Sequence, residues 1–341
     1  MPKYTLSDEN LKFVDAIETD LNQQIKHSKV SVEKLAKSFG ITNKNVVKEL
    51  TELSIVRIAR QIATNNHLSI RQRYDHIVLL YNNQVNLSHR TSHSMILQQY
   101  STPAPIAFLA GRYILSTKDI GTSQYFEPSA GNGLLTISLP IRQTTVNEID
   151  EIRSATLQSQ PFKLITEQNA ISAFTNYYRS FDGIITNPPF GTFDMAVKYG
   201  DFKFSTLDHL MALRALDTMA DQGHAAIIIG GHTKWDSEGR IQAGKNRIFF
   251  NYLYHNYIVD DVIQINGHKL YSRQGTAFPV RLILISGRKQ NPSYYAPLKT
   301  NKDIVVNTFD ELWNRVSAKS KSNLIAIAKA RARARLRLSK R

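Results

Sequence analysis

Between Tyr100 and about residue 290 the chain alternates two kinds of segment: short apolar or β-branched runs closed by Gly, Pro, Asn or Asp, and longer stretches with helical spacing. The runs are Gln124–Phe126, Thr144–Val146, Lys163–Ile165, Gly183–Thr186, Ala225–Ile229, Val262–Ile265 and Arg281–Ile285. Runs this short and this continuously apolar have no face fit for water, so both sides need cover. A parallel sheet with helices on both faces meets that need, which makes the chain an α/β protein. Only the loop Asn266–Pro279 separates the last two runs. Without a crossover helix they are expected to pair antiparallel, giving a mostly parallel sheet with one antiparallel edge strand.

The flanks read differently. Residues 1–95 contain one glycine, Gly40, and their apolar positions keep helical spacing (Val32, Leu35, Ala36, Phe39, then Val46, Val47, Leu50, Leu53). A helical domain over 1–95 is therefore expected before the α/β unit at 96–290, with a C-terminal extension at 291–341. Residues 317–341 hold nine Lys and Arg and no acidic residue, leaving +6 of the net +15 to the rest of the chain. A charge of that sign favours a polyanionic partner. The absence of cysteine excludes disulfides, thiolate metal sites and every cysteine nucleophile, and suits a reducing compartment. No apolar run approaches 18 residues and the N-terminus lacks a signal-peptide core, so a cytoplasmic protein without a membrane partner is expected.

Two stretches carry chemistry. In the first, Tyr125-Phe126-Glu127-Pro128-Ser129-Ala130-Gly131-Asn132-Gly133, a strand enters a turn with two glycines, and a helix is expected at Leu134–Leu139. Such a turn lets backbone approach a ligand, although alone it could equally be structural. Glu148, twenty-one residues after Glu127 and at the end of the next strand, can accept both hydroxyls of a ribose. Together they point to a nucleoside cofactor. The third glycine of the dinucleotide fingerprint and the Lys-Ser/Thr of a phosphate loop are both missing, which disfavours NAD and ATP.

The second stretch is Asn187-Pro188-Pro189-Phe190, directly after the run Gly183–Thr186. Two prolines stop the ladder and stiffen the loop at the carboxyl end of the sheet, where ligands bind in such folds. The Asn187 side-chain oxygen and the Pro188 carbonyl are two fixed acceptors for the protons of an amino group. Phe190 offers a face to a planar ring.

In this order, Gln99-Tyr100-Ser101-Thr102-Pro103, the glycine turn and Asn-Pro-Pro-Phe resemble the gamma-type S-adenosylmethionine-dependent DNA adenine-N6 methyltransferases over roughly residues 97–290. The resemblance implies a Rossmann-like sheet and S-adenosylmethionine as cofactor. It implies that Tyr100, Thr102 and Pro103 contact the methionine end, that Glu127, Ser129, Gly131 and Gly133 shape the pocket, and that Glu148 holds the ribose while Ile149 packs on the adenine. Where the family has an aspartate against that adenine, this chain has Gln168 and Asn169, either of which could serve or simply cap the next helix. The implied reaction is in-line methyl transfer to the N6 of a flipped-out adenine held by Asn187, Pro188 and Phe190, with Pro189 stiffening the loop and Gly191–Phe204 closing over it. Methylation of an rRNA adenine or a protein glutamine, and a non-catalytic DNA-binding protein of the same fold, are the competing readings. Methylation of cytosine at C5 needs a cysteine and is excluded.

Only 54 residues follow Gly287, too few for the usual recognition domain. Residues 30–53 resemble a helix-turn-helix in which Gly40 turns, Thr42 caps, and Asn43, Lys44, Asn45 and Lys48 face DNA. An ordinary helical hairpin packed on the catalytic unit is the alternative, and a separate specificity subunit is a third source of recognition. A cognate nuclease would accompany a restriction–modification enzyme of bacterial or phage type, associated with the nucleoid. His268, Lys269, Tyr271 and Arg273 are candidate phosphate contacts, as are Lys329, Arg331, Arg333 and Arg335 in the tail. Ser205–Asp208 reads as a capping box. His89 and His93 have no nearby third ligand, so no metal site is expected.

Overall fold

The computed structural model describes residues 4–86, 101–115, 121–274, 277–301 and 303–319. Tyr100, His89, His93 and the tail residues Lys329, Arg331, Arg333 and Arg335 lie outside them.

Four helices open the chain: α1 (Asp8–Asn22), α2 (Lys29–Ser38), α3 (Lys44–Thr64) and α4 (Ile70–Asn83). Ser7, Ser28 and Ser69 cap α1, α2 and α4 with reciprocal side-chain bonds. Asn43, not Thr42, caps α3, because its Oδ1 accepts from the Asn45 and Val46 N–H groups. Then come α5 (Ala104–Ile114), β1 (Tyr125–Glu127), β2 (Thr144–Asn147), α6 (Glu151–Gln158), β3 (Leu164–Thr166) and β4 (Phe181–Thr186). The helix expected at Leu134–Leu139 is a single 3-10 turn, Leu134–Thr136. Gly191–Phe204 is not a loop but most of a hairpin, β5 (Thr192–Tyr199) and β6 (Phe202–Thr206). The chain continues with α7 (Leu207–Asp217), β7 (Met219–Gly230), α8 (Lys245–Asn256), β8 (Tyr257–Ile265), the one-turn α9 (Gly267–Leu270), β9 (Val280–Arg288) and β10 (Val305–Val306). A last helix covers 309–319.

The main sheet has the order β10-β8-β9-β7-β4-β1-β2-β3. Every pair is parallel except β7–β9 and β8–β9. The antiparallel strand is therefore not outermost as expected. β9 inserts between β7 and β8, and β10 adds a parallel strand outside β8. The chain winds from β1 out to β3 and then resumes at β4 on the other side of β1. That reversal leaves a cleft beyond the carboxyl ends of β1 and β4, the place where sheets of this kind hold ligands.

Alternate residues of the central strands enter two cores. Ile185, Ala226, Ile228, Leu282 and Leu284 pack with the N-terminal helices and α5. Ile184, Ala225, Ile227, Ile283 and Ile285 pack with α7 and α8. Burial on both faces explains why these strands read as unbroken apolar runs. The N-terminal helices share the first core with one face of the sheet. The last helix closes against α4, with Trp313 beside Tyr74 at 5.0 Å between ring centres and the Tyr74 hydroxyl donating to Phe309 O at 2.7 Å.

Candidate active site

The turn after β1 is built on its glycines. Gly131 and Gly133 adopt φ of 57° and 89°, a region that costs other residues strain. The turn is pinned by Asn147, which donates through Nδ2 to Pro128 O (2.9 Å) and Gln168 O (2.8 Å) and accepts at Oδ1 from Gln168 N (2.8 Å). Three loops at the carboxyl ends of β1, β2 and β3 thus share one buried amide. In the middle, Glu148 accepts from Gly131 N at 2.7 Å with one oxygen and from Asp150 N at 2.9 Å with the other.

These loops border a cavity of about 440 Å³. Thr102, Glu127, Ser129, Gly131, Glu148, Ile149, Gln168, Asn169 and the tetrapeptide Asn187–Phe190 all line it. The first and last sequence motifs, with Thr102 and Asn187 85 residues apart, so converge on one space. Asn187 Nδ2 donates to Thr102 Oγ1 at 3.0 Å, joining the first motif to the last and turning the amide oxygen to the other side. Ser129 and Thr186 hydroxyls meet at 3.1 Å behind the loop. Phe190 lies against Gly230 at the end of β7, where a Cβ would come within 3.2 Å of its ring. Ile149 is 58% exposed at the rim, an apolar surface ready to cover a planar ring.

Two expected residues stand back from the cavity. Pro103 begins α5, its carbonyl accepting from Ile106 and Ala107. Gly133 faces Phe162 and Leu157, where a Cβ would meet atoms at 3.1 and 3.3 Å, so it serves packing. Gln168 donates through Nε2 to Ala173 O, while Asn169 Oδ1 accepts from Ile171 N and caps a turn, with no helix directly after it. Asp208 makes no capping box. It is buried at the start of α7 and accepts from Gly230 N at 3.0 Å.

Residues that sequence reasoning missed come from α3. Glu49 accepts from Arg153 Nε at 2.9 Å and from Asn132 Nδ2 at 2.7 Å. Arg60 donates to Thr136 O and Thr136 Oγ1, both at 2.9 Å. Glu52 lines the cavity. Their signal was there to find: Glu49 and Glu52 interrupt the apolar stripe of Val46, Leu50 and Leu53, where a charge needs a reason. Burial pushes Glu127 well above the usual carboxylate range, Glu148 adds to the rise, and Arg60 opposes it. Burial raises Glu148 too, against Arg153 and the N–H groups of Asp150 and Gly131. Glu49 goes the other way, because Arg153 and Lys48 overcome burial and hold it at about 2.

The DNA-facing expectations divide. Thirteen of the 21 residues of α3 are buried, including Val46, Val47, Leu50 and Leu53. Asn43 and Lys44 are exposed, Asn45 and Lys48 half-buried, and Lys48 lies 3.4 Å from Glu49. The first turn of α3 is thus open to solvent while the rest of the helix packs in the core. Lys269 and His268 are exposed, Tyr271 is buried at 1%, and Arg273 donates to Gln84 O at 3.1 Å, tying down the end of α4. Among the described residues no cluster of His, Asp and Glu could hold a metal ion, and no helix is long and apolar enough to cross a membrane.

No family model matches the chain. A type II methyltransferase of Acinetobacter calcoaceticus, M.AccI, is 26% identical over 144 residues, covering 40% of this chain and 24% of that protein. The chain thus spans about a quarter of the length of the curated relative it matches. A Listeria monocytogenes structure described as a class I S-adenosylmethionine-dependent methyltransferase superposes with a TM-score of 0.51 at 13% identity, over 93% of this chain and 98% of that one. The modification subunit of a type I restriction enzyme from Vibrio vulnificus superposes with a TM-score of 0.45 at 15% identity, over 83% of this chain and 65% of that one. By its sheet order, its cleft and its likeness to solved structures, the chain has the fold of the class I S-adenosylmethionine-dependent methyltransferases.

Proposed function

We propose that this protein transfers a methyl group from S-adenosylmethionine to the exocyclic N6 of adenine in DNA, as the modification enzyme of a restriction–modification system. The observation that carries the reading is the meeting of Asn187–Phe190 and Glu148 on one cavity, with Asn187 oriented by Thr102. The similarity to M.AccI over part of the chain supports the same reading.

The residues present fit the cofactor. The cavity lies within the roughly 300–1,000 Å³ usual for small-molecule sites. Glu148, fixed at both oxygens, keeps lone pairs for the hydroxyls of a ribose, and Ile149 would cover the adenine ring. Gln168 and Asn169 border the same end. When bound, S-adenosylmethionine supplies a methyl group on a sulfonium, whose positive charge makes the thioether a good leaving group.

The exocyclic nitrogen of adenine is a poor nucleophile because its lone pair is delocalised into the ring. Asn187 Oδ1 and the Pro188 carbonyl, accepting its two hydrogens, would draw the nitrogen toward sp³ geometry and stabilise the positive charge that develops there. Pro188 and Pro189 hold those acceptors without rearrangement. Phe190, backed by Gly230, would stack on a base taken out of the duplex. No covalent intermediate on the protein is needed.

The test is incubation of the purified protein with methyl-labelled S-adenosylmethionine and unmodified DNA, then digestion to nucleosides. Label in N6-methyldeoxyadenosine is expected. Label appearing only with ribosomal RNA or a glutamine-bearing protein would replace the substrate class. Asn187→Ala should lower the rate by roughly a hundredfold or more while leaving cofactor binding in place. Near-normal transfer by that variant would overturn the assignment.

A further inference from the structure

Glu52 belongs to α3, outside the three sequence motifs, yet it lines the same cavity and is only 2% exposed. Its surroundings leave its charge poorly balanced. Arg153 attracts it only through space, because its Nε and Nη2 both donate to Glu49, at 2.9 and 3.4 Å. Glu49 itself, one turn away on the helix, repels Glu52, and Lys48 attracts it only through space. Ser101 hydrogen-bonds one side of the carboxylate, and Glu52 Oε2 has no hydrogen-bond partner among the described residues. A buried carboxylate oxygen that lacks a donor, on a residue at the wall of a cavity, calls for a cationic N–H group from the ligand.

Position says which group. Glu148 fixes the ribose end and Asn187 the reacting end of the cavity. Thr102 touches Asn187, and the adjacent Ser101 touches Glu52, so Glu52 stands beside the reacting end of the cavity. The arm of S-adenosylmethionine that continues past sulfur is its amino-acid moiety, and its cation is the α-ammonium. Resting on the cofactor reading above, we infer that Glu52 binds the α-ammonium of S-adenosylmethionine, making α3 a wall of the cofactor site.

Two ligands isolate this contact, because neither carries the sulfonium charge. S-adenosylhomocysteine keeps the ammonium; 5′-deoxy-5′-methylthioadenosine keeps the nucleoside and thioether but lacks the amino-acid arm. Titration calorimetry on the full chain should show E52Q binding S-adenosylhomocysteine roughly ten- to a hundredfold more weakly than wild type. Methylthioadenosine should bind both proteins equally, which also shows that the E52Q pocket is folded. Equal affinity of the two proteins for S-adenosylhomocysteine, or a parallel loss for both ligands, would overturn the inference while leaving the cofactor assignment standing. Failure of wild type to bind S-adenosylhomocysteine would overturn the cofactor assignment itself, and this inference with it.

Discussion

Glu148 holds its geometry before any ligand arrives, because Gly131 N and Asp150 N grip its two oxygens and Asn147 grips the loops around them. A carboxylate fixed in this way loses no rotamer freedom on binding, so the hydrogen bonds proposed for it to a ribose would be close to fully realised. Glu148→Ala should therefore weaken S-adenosylhomocysteine binding by about 1–3 kcal/mol in titration calorimetry. An unchanged dissociation constant would move the ribose site elsewhere. Thr102 works differently. Its hydroxyl accepts from the Asn187 amide nitrogen, and so decides which end of that amide is presented to the substrate. Thr102→Val keeps the shape and removes the acceptor, so Asn187 loses the bond that directs its Nδ2 away from an amine that would need acceptors. The turnover number should fall about tenfold or more, the scale of one lost hydrogen bond at about 1.5 kcal/mol, with little change in binding. A Thr102→Val enzyme as fast as wild type would show that Asn187 is oriented by other means.

At the scale of elements, all seven apolar runs became strands, and the departures have physical reasons. β7 begins at Met219, upstream of the expected Ala225, because its first residues lie where Asp221 and Gln222 can face water. The hairpin β5–β6 was invisible because most of β5 is exposed and Asp194 and Lys198 break up its apolar residues. The motifs were legible because glycine, proline and a spaced carboxylate act through local backbone geometry. Glu49, Arg60 and Arg153 were not, since a buried ion pair 104 residues apart in sequence depends on how α3 docks on α6. That docking gives a pH signature. Glu49 is held at about 2, below its ordinary 4.5, so its stabilisation is complete above about pH 4.5 and is lost as pH falls toward 2. Glu52, Glu127 and Glu148 are shifted upward and act in the opposite sense, so the effect is read by comparison with Glu49→Gln. Denaturant unfolding at pH 7 should find that variant less stable by about 3 kcal/mol, because Arg153 is left buried without its partner. The gap between variant and wild type should narrow as pH falls from about 4.5 toward 2. A gap that stayed constant would show that the pair does not govern acid stability.

Across the whole molecule, the N-terminal helices share a core with the sheet, and the segment after β9 returns to the fold through β10 and the helix at 309–319. Arg315 forks onto Asp261 at 2.7 and 2.9 Å, Leu312 and Val316 are buried, and Lys319 reaches Asp260 O at 2.9 Å. These contacts set a boundary: a chain truncated after Asn323 keeps every one of them and loses Lys329, Arg331, Arg333, Arg335 and Arg337, together with Lys340 and Arg341. In a helix those five alternating cations would spread around most of the circumference and leave no broad apolar stripe to bury, whereas in a strand they would share one face. Either way their natural complement is a polyanion. Each phosphate neutralised on duplex DNA contributes about −0.9 to the slope of log K against log salt. Phosphate contacts carry affinity without sequence information. Truncation after Asn323 should thus flatten the slope by about two to four and weaken binding to all sequences alike, with site preference and S-adenosylhomocysteine affinity unchanged. The measurement is fluorescence anisotropy against a methylatable duplex and a scrambled one at several salt concentrations. A truncated protein with the wild-type slope would show that the tail does not touch DNA, and would leave the remaining +8 of the chain, Lys44 and Lys269 among its exposed cations, to carry the electrostatics.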